Sequence, residues 1–370
     1  MRQCSLDVFY QNTSLRWHYD DGFLQGTMVK RPTIQDLADA SGVSVATVDR
    51  VLNGRHRVRE ETARRVYNAA ASIGYHAVGL LRQRVFQDLP HYRLGFLLQR
   101  PAQSFYQTLA REIEQAVHAN TSFRITAQIE YAAASTPAAI IEKLKLLASR
   151  NQAIALVGPD YPAVTAEVED LKAKGVPVFS ILSDLASGVR RGYIGLNNRK
   201  VGRTAAWMIA KAARNPGKVA CFVGSHRYHG HELREIGFRS YFRENAPDFE
   251  VLETLINLET PEITHEATIN LLKQHSDLIG FYVCGGGMEG AISAVREEGL
   301  AGKIVVVVNE LTPDSRAALA DDAVTVAIST PIKSLCSELI TLMTSSLGSE
   351  NDAVPGQSFL PFDIYTSENI

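Results

Sequence analysis

From Arg93 onward, short β-prone apolar runs alternate with amphipathic helical stretches, and no other feature of this 370-residue chain restricts its fold as much. The runs are Leu94–Leu98, Ile125–Tyr131, Ala153–Val157, Pro177–Leu182, Val219–Val223, Leu278–Cys284, Ile304–Val308 and Val324–Ile328. Between them, segments such as Ile140–Ala148 and Val164–Ala173 carry apolar residues at helical spacing. A strand covered on both faces reads as an unbroken apolar run, and strand–helix repetition builds an open parallel sheet with helices on each side. One doubly wound unit needs fewer residues than are present. The expected architecture is therefore a two-lobed α/β core with a ligand crevice at the carboxyl ends of its strands.

A different pattern precedes this core. Between Thr33 and Tyr75 lie three short helical segments. Thr33 is a suitable N-cap with Asp36 three residues on, and Ile34, Leu37 and Ala38 share one face. Ser44 caps a second helix with Val45, Val48, Val51 and Leu52 at helical spacing, stopped by Asn53-Gly54. The turn between the two contains Gly42 and is too short for anything but helices meeting at a steep angle. A third helix is expected from about Glu60 to Ile73. Charge follows the same division: Met28–Arg84 holds ten Lys and Arg against five acids, in a chain of net charge −2. A basic module on an acidic body confines phosphate attraction to one part of the molecule. Residues 1–27 show no period and are expected to form a disordered tail; Met28 would equally serve as a start.

The segment Thr33–Gly54 has the interhelical apolar contact, the glycine turn and the cap that a helix-turn-helix requires. Together with the run Ala46-Thr47-Val48-Asp49-Arg50-Val51-Leu52-Asn53-Gly54, and with Glu60-Glu61-Thr62 and Gly74-Tyr75, it resembles the lac repressor family. The resemblance implies a transcriptional regulator, with a three-helix headpiece at 30–76, a hinge or linker at 77–91 and a periplasmic-binding-protein-like core at 92–370. Lobe 1 of that core would span about 92–215 and 331–350, and lobe 2 about 216–330 and 351–370.

Carried over by position, Val45 and Ala46 match the family's main base-reading pair and Arg50 its guanine-reading arginine. An arginine there can make a bidentate contact to a guanine edge, whereas Val45 and Ala46 offer apolar contact to thymine methyls. Ser44, Thr47, Asn53, Arg57 and Thr62 fall at backbone-contacting positions, which set register. Asp49 replaces a usual serine and is expected to pair with a nearby arginine or accept from a base amino group. In the hinge, Arg84 takes the place of a leucine wedge; it can enter a narrow minor groove but does not unstack a base step. Leu80 or Leu81 would substitute if the register slips.

The core resembles the family's ribose-type binding domains over nearly all of Arg93–Thr366. Ser104, Phe105 and Tyr106 replace a polar residue and two aromatics that hold a sugar ring, aromatic faces meeting C–H bonds while polar groups take hydroxyls. Asp184 stands at a hydroxyl-binding position, and Asn198 at one that caps the next helix and faces the cleft. Arg234 matches a ligand-binding arginine, Glu310 a cleft carboxylate taking two hydroxyls, and Thr330 a usual glutamine. Cys284-Gly285-Gly286-Gly287 replaces an Asn-Asp pair; it either offers amide N–H groups to a ligand phosphate or carboxylate or is a permissive loop. These departures argue against plain ribose.

Other chemistries find little support. The chain has no GxGxxG after its first strand, no Walker loop and no GxSxG. His226, His229 and His231 are spaced for zinc if their loop folds back, but no Asp or Cys completes a shell, so one or two of these imidazoles are expected to line the cleft instead. Cys4, Cys221, Cys284 and Cys336 are scattered, without a CxxC pair, which suits a reducing compartment. There is no secretory signal pattern and no apolar run long enough to cross a bilayer. The expectation is a cytoplasmic, cofactor-free, metal-free, non-enzymatic homodimer whose partners are operator DNA and a small carbohydrate-like effector, with no membrane contact.

Overall fold

The computed structural model describes residues 31–54, 58–85, 89–348 and 356–370. The tail expected at 1–29, and Arg57, lie outside them. The chain divides into two compact units, Met1–Gln87 and Asp88–Ile370.

In the first unit, α1 (Ile34–Ser41), α2 (Val45–Asn53), α3 (Glu60–Ser72) and α4 (Val78–Val85) surround a core of Leu37, Ala38, Val48, Val51, Val66, Ala70 and Leu81. Thr33 and Asp36 close a capping box at α1, with the Asp36 N–H donating to Thr33 Oγ1 at 3.3 Å and the Thr33 N–H donating to the Asp36 carboxylate at 2.7 Å. Gly42, at φ +62°, supplies the left-handed residue that ends α1 and turns the chain toward Ser44. Within the expected hinge or linker at 77–91, the described residues Val78–Val85 are helical. Val78, Leu81 and Val85 recur three and four apart, so they form a helix whose Leu81 is fully buried in the headpiece core.

The second unit runs β1 (His91–Leu98), α5 (Ser104–Ala119), β2 (Arg124–Tyr131), α6 (Pro137–Ala148), β3 (Ala153–Leu156), α7 (Pro162–Ala173), β4 (Val178–Ile181), β5 (Gly192–Leu196), α8 (Asn198–Ala212), β6 (Lys218–Val223), α9 (His229–Asn245), β7 (Glu250–Val251), β8 (Leu255–Ile256), α10 (Pro261–Gln274), β9 (Leu278–Val283), α11 (Met288–Glu297), β10 (Val305–Asn309), α12 (Pro313–Ala320), β11 (Val326–Ser329), α13 (Ile332–Gly348), β12 (Gly356–Leu360) and β13 (Asp363–Tyr365). Each apolar run named above is a strand. The first sheet has the order β12-β5-β4-β3-β1-β2 and is parallel throughout. The second has the order β13-β11-β10-β9-β6-β7, with β8 also on β6 and only β13 antiparallel. In both sheets the connections reverse direction beside a central strand, β1 in one and β6 in the other, and the loops at the carboxyl ends there face a common cleft.

Two expected lobe boundaries are corrected. Helix α8 packs in the second lobe, where Val201, Ala205 and Ile209 meet Val219, Val223 and Tyr282. Strand β12 belongs to the first lobe, pairing Gly356 with Gly192 and Leu360 with Leu196. The chain crosses between lobes straight after a strand, at 197, at 330–331 and at 361–362, and not after the helix that follows.

Helices α8 and α9 touch through their backbones. A Cβ on Gly202 would lie 1.8 Å from the Arg234 carbonyl oxygen, and one on Gly237 would lie 2.2 Å from that of Arg199. Gly202→Ala must push the helices apart, an overpacking that costs on the order of 1–3 kcal/mol. The thermal transition of the second unit is therefore expected to fall by roughly 3–10 °C in a melting scan. An unchanged midpoint would mean that the helices part freely.

Candidate functional site

On the headpiece, the N-terminus of α2 is set by its own side chains. Ser44 Oγ accepts the Thr47 N–H at 3.2 Å and sits 2.9 Å from Thr47 Oγ1, so both hydroxyls are engaged in the first turn. Ala46 and Arg50 are exposed; Val45 and Thr47 are half-buried, and Val45 packs against the headpiece core. The Asp49 carboxylate accepts from Asn53 Nδ2 at 2.6 Å, one helical turn away, and holds that side chain. Thr62 is half-buried on α3. Arg84, expected to enter a minor groove, donates its guanidinium to the Leu52 carbonyl at the end of α2. That contact turns the side chain back onto the headpiece. Of the two leucines beside it, Leu80 is 43% exposed and Leu81 is buried.

In the second unit, the carboxyl ends of the strands line a cleft open to solvent at its mouth. The first lobe supplies Gln103, Phe105, Tyr106, Val157, Leu182 and Ser183; the second supplies Tyr228, His231, Arg234, Glu259, Glu289, Asn309 and Glu310, with Gly230, Gly285, Gly286, Met288 and Thr312. One wall is thus largely aromatic and aliphatic, and the other carries the ionisable groups. The walls are tied together at the rim. Arg100 donates to the Leu258 carbonyl at 2.6 Å and to the Glu259 carboxylate at 3.3 Å, and the Gly230 N–H donates to Ser183 Oγ at 3.1 Å. Arg100, Leu258 and Glu259 all have φ between +41° and +54°, a region non-glycine residues adopt only where surrounding contacts compel it.

Arg234 projects from the second turn of α9 and is 7% exposed. Its Nε donates to Asn198 Oδ1 at 2.7 Å and its Nη1 to the Cys284 carbonyl, which together fix the guanidinium plane. Glu310, at φ +73°, follows β10; its carboxylate accepts from the Thr330 N–H at 2.9 Å and Thr330 Oγ1 at 2.7 Å. Burial raises the Glu310 pKa against the lowering effect of those donors and of Arg234. Burial, with Arg234 adding to it, pushes His231 down to about 3, so its imidazole is neutral at ordinary pH. It accepts the Gly224 N–H at Nδ1, 3.2 Å away.

The cleft thus gathers Phe105, Tyr106, Arg234 and Glu310 from the expected set, while Ser104, Asp184, Asn198, Cys284 and Thr330 stand elsewhere. Ser104 begins α5 half-buried, and Gln103 before it lines the cleft, donating to the Glu259 carbonyl at 3.2 Å. Asp184 is not a cleft residue. It is buried against Arg190, 2.6 Å from Nη2, and accepts from Ser180 at 2.7 Å and Gln357 at 2.9 Å. Burial alone would raise its pKa, but these donors outweigh it and the net shift is downward. Asn197, and not Asn198, caps α8. Asn198 instead orients Arg234, as Thr330 orients Glu310. The Cys284 thiol points to Cys221, 3.2 Å away, and only its carbonyl serves the site. The Gly286 N–H, one of the amides that sequence left either as an anion donor or as part of a permissive loop, donates to Glu259 Oε1 at 3.3 Å. Of the three histidines, His231 lines the cleft, whereas His226 and His229 meet Glu235 and Glu232 at the surface. Gln103, Glu259 and Glu289 had no sequence signal: Glu259 follows a two-residue strand, and Glu289 reads as a surface acid in the first turn of a helix.

A two-lobed core with its cleft at the strand ends defines a ligand-binding protein of the periplasmic type. Comparison with known proteins agrees: residues 94–350 match the periplasmic binding protein domain, and residues 33–77 match the bacterial regulatory proteins of the lacI family. The HTH-type transcriptional regulator GalS of Salmonella typhimurium is 23% identical over 272 residues, 73% of this chain and 76% of that protein. The ribose operon repressor of Bacillus subtilis is 38% identical over 86 residues, 23% of this chain and 26% of that one. Among solved structures, a periplasmic solute binding protein from Actinobacillus succinogenes with bound D-allose has a TM-score of 0.68 at 19% identity, covering 75% of this chain and 98% of its own. The chain belongs to the periplasmic binding protein domain family, carries a lacI-family headpiece, and is a DNA-binding transcriptional regulator.

Proposed function

We propose that the protein is a cytoplasmic repressor that binds its operator as a homodimer and releases or grips it according to a small carbohydrate-like effector in the cleft. The observation that carries this reading is the pairing, in one chain, of an exposed Arg50 on a Ser44-capped helix with a cleft where aromatic Phe105 and Tyr106 face Arg234 and Glu310. Arg50 reads a guanine edge, Ala46 and the exposed part of Val45 meet neighbouring methyl groups, and Ser44, Thr47, Asn53, Arg57 and Thr62 set register on the phosphates. A second copy places a second headpiece on the other half-site. The effector acts through the difference in its affinity for two arrangements of the lobes, typically ~1–3 kcal/mol. The cleft carboxylates bind hydroxyls and do not turn them over, so sugars incubated with the protein are expected to be recovered unchanged.

Fluorescence anisotropy on a labelled fragment of the gene's own upstream region, with and without pentoses, hexoses, polyols and sugar phosphates, tests the reading. Salt-dependent binding shifted by one compound supports it and gives effector and sign together. Failure to bind the fragment at any salt concentration or with any compound would defeat it.

A further inference from the structure

We propose that the cleft selects a polyhydroxylated ligand bearing neither phosphate nor carboxylate, and that Glu289 is the residue that demands a hydrogen-bond donor on it. The proposal rests on the cleft being the effector site. Among the described residues that line it, three are carboxylates, Glu259, Glu289 and Glu310, and Arg234 is the one cation. Arg234 spends two of its five N–H donors on Asn198 and the Cys284 carbonyl, and its single charge is outnumbered by the three carboxylates around the cleft.

The backbone position best suited to an oxyanion is filled by the protein itself. Glycines at 285–287 let the loop come close to His231 and Glu259, where a Cβ on Gly285 would lie 2.5 Å from the imidazole. The Gly286 N–H is given to Glu259, whose other oxygen takes Arg100. Glu259 therefore sits where a ligand phosphate would need to sit, already paired. His231 adds no charge, because burial holds it neutral.

Glu289 stands apart from the other two carboxylates. Glu310 is supplied with donors by Thr330, and Glu259 by Arg100 and Gly286, whereas Glu289 Oε2 is buried with no hydrogen-bond partner. A buried acceptor without a donor is costly, and a turn of the Glu289 side chain, which lines the cleft, toward a ligand hydroxyl or ammonium would relieve the cost. Burial raises the pKa of Glu289 against the lowering effect of the backbone N–H groups of Glu289 and Gly287, Asp314 and Glu259 add to the rise, and a ligand anion would add repulsion of the same sign. Phe105 and Tyr106 across the cleft suit the C–H face of a ring and carry no formal charge that would favour an anion.

The test is titration calorimetry of the full-length protein with matched sets. For glucose, galactose and ribose, the free sugar is compared with its phosphate, its acid and its amino-sugar counterpart. Each phosphate and acid is expected to bind at least about tenfold more weakly than its parent. Glu289→Gln then identifies the donor. Equal weakening of free sugar and amino sugar points to a hydroxyl, and selective weakening of the amino sugar by about tenfold or more points to an ammonium. Tighter binding of any phosphate or acid than of its parent would overturn the proposal, as would a Glu289→Gln protein that binds every compound as the wild type does. If no member of the sets binds while operator DNA still does, the polyol class is wrong although the DNA-binding reading stands. If Glu310→Ala binds every compound unchanged, the cleft is not the effector site and the underlying reading fails.

Discussion

Replacing Arg50 by alanine is expected to weaken binding to the operator by about tenfold to a hundredfold per half-site, while leaving binding to unrelated duplex nearly intact. Arg50 is exposed on α2, one turn beyond the Ser44 cap that aims the helix. A bidentate arginine–guanine contact contributes ~1–3 kcal/mol of discrimination, and nothing else on that face can replace it. Ala46 has only a methyl group, and the carboxylate of Asp49 is engaged with Asn53. The phosphate contacts proposed for Ser44, Thr47 and the basic surface would persist in the variant, so the salt dependence of binding should change little. Anisotropy titrations of wild type and Arg50→Ala against operator and a scrambled duplex, each at several salt concentrations, measure both quantities. An equal loss on the two duplexes would show that Arg50 contacts phosphate and reads nothing.

The second large effect is expected in the cleft. Arg234→Ala should lower the affinity for the compound that shifts operator binding by about thirtyfold or more, since a hydrogen bond to a charged group contributes ~1.5–3 kcal/mol and its loss leaves ligand acceptors unpaired. Part of the loss comes from the protein itself, because Asn198 Oδ1 and the Cys284 carbonyl lose their donor. Arg234→Lys separates the contributions: it keeps the charge but not the fork, and should recover only a fraction of the affinity. Glu310→Ala is expected to weaken the same ligand. Both variants should still bind operator without ligand, measured on the same DNA fragment. Retained ligand affinity in both would mean that recognition lies elsewhere.

How far these positions were legible in the sequence depends on the range of the interaction that makes them. Caps and periods are local, so Thr33, Ser44, the headpiece helices and the apolar strands could be read directly. Arg234 and Glu310 were reached through family resemblance and do line the cleft. Asp184 was misread because its partner is decided by packing: Arg190, six residues on, folds back into the same buried loop and removes the carboxylate from ligand service. Asn198 and Thr330 sit within one residue contact of the cleft but spend their hydrogen bonds on Arg234 and Glu310, a distinction of a few ångströms that spacing cannot express. Glu259 was invisible, since the strand before it is two residues long and no periodicity can establish over so short a run. The lobe membership of α8 and β12 was hidden for a related reason. An amphipathic helix announces that it has a buried face but not which sheet covers it.

The unequal walls of the cleft divide its labour. Groups that can tell one hydroxyl pattern from another, Arg234, Glu259, Glu289 and Glu310, all come from the second lobe, while the first brings mainly Phe105, Tyr106, Val157 and Leu182. On the proposed reading, a ligand would be identified by one half of the cleft and covered by the other. Selectivity would then be a property of the second lobe, and residence time a property of how well the first lobe covers what has been chosen. The two can drift independently: changes at Phe105 or Tyr106 would alter how long the regulator remembers its effector without altering which effector it answers to.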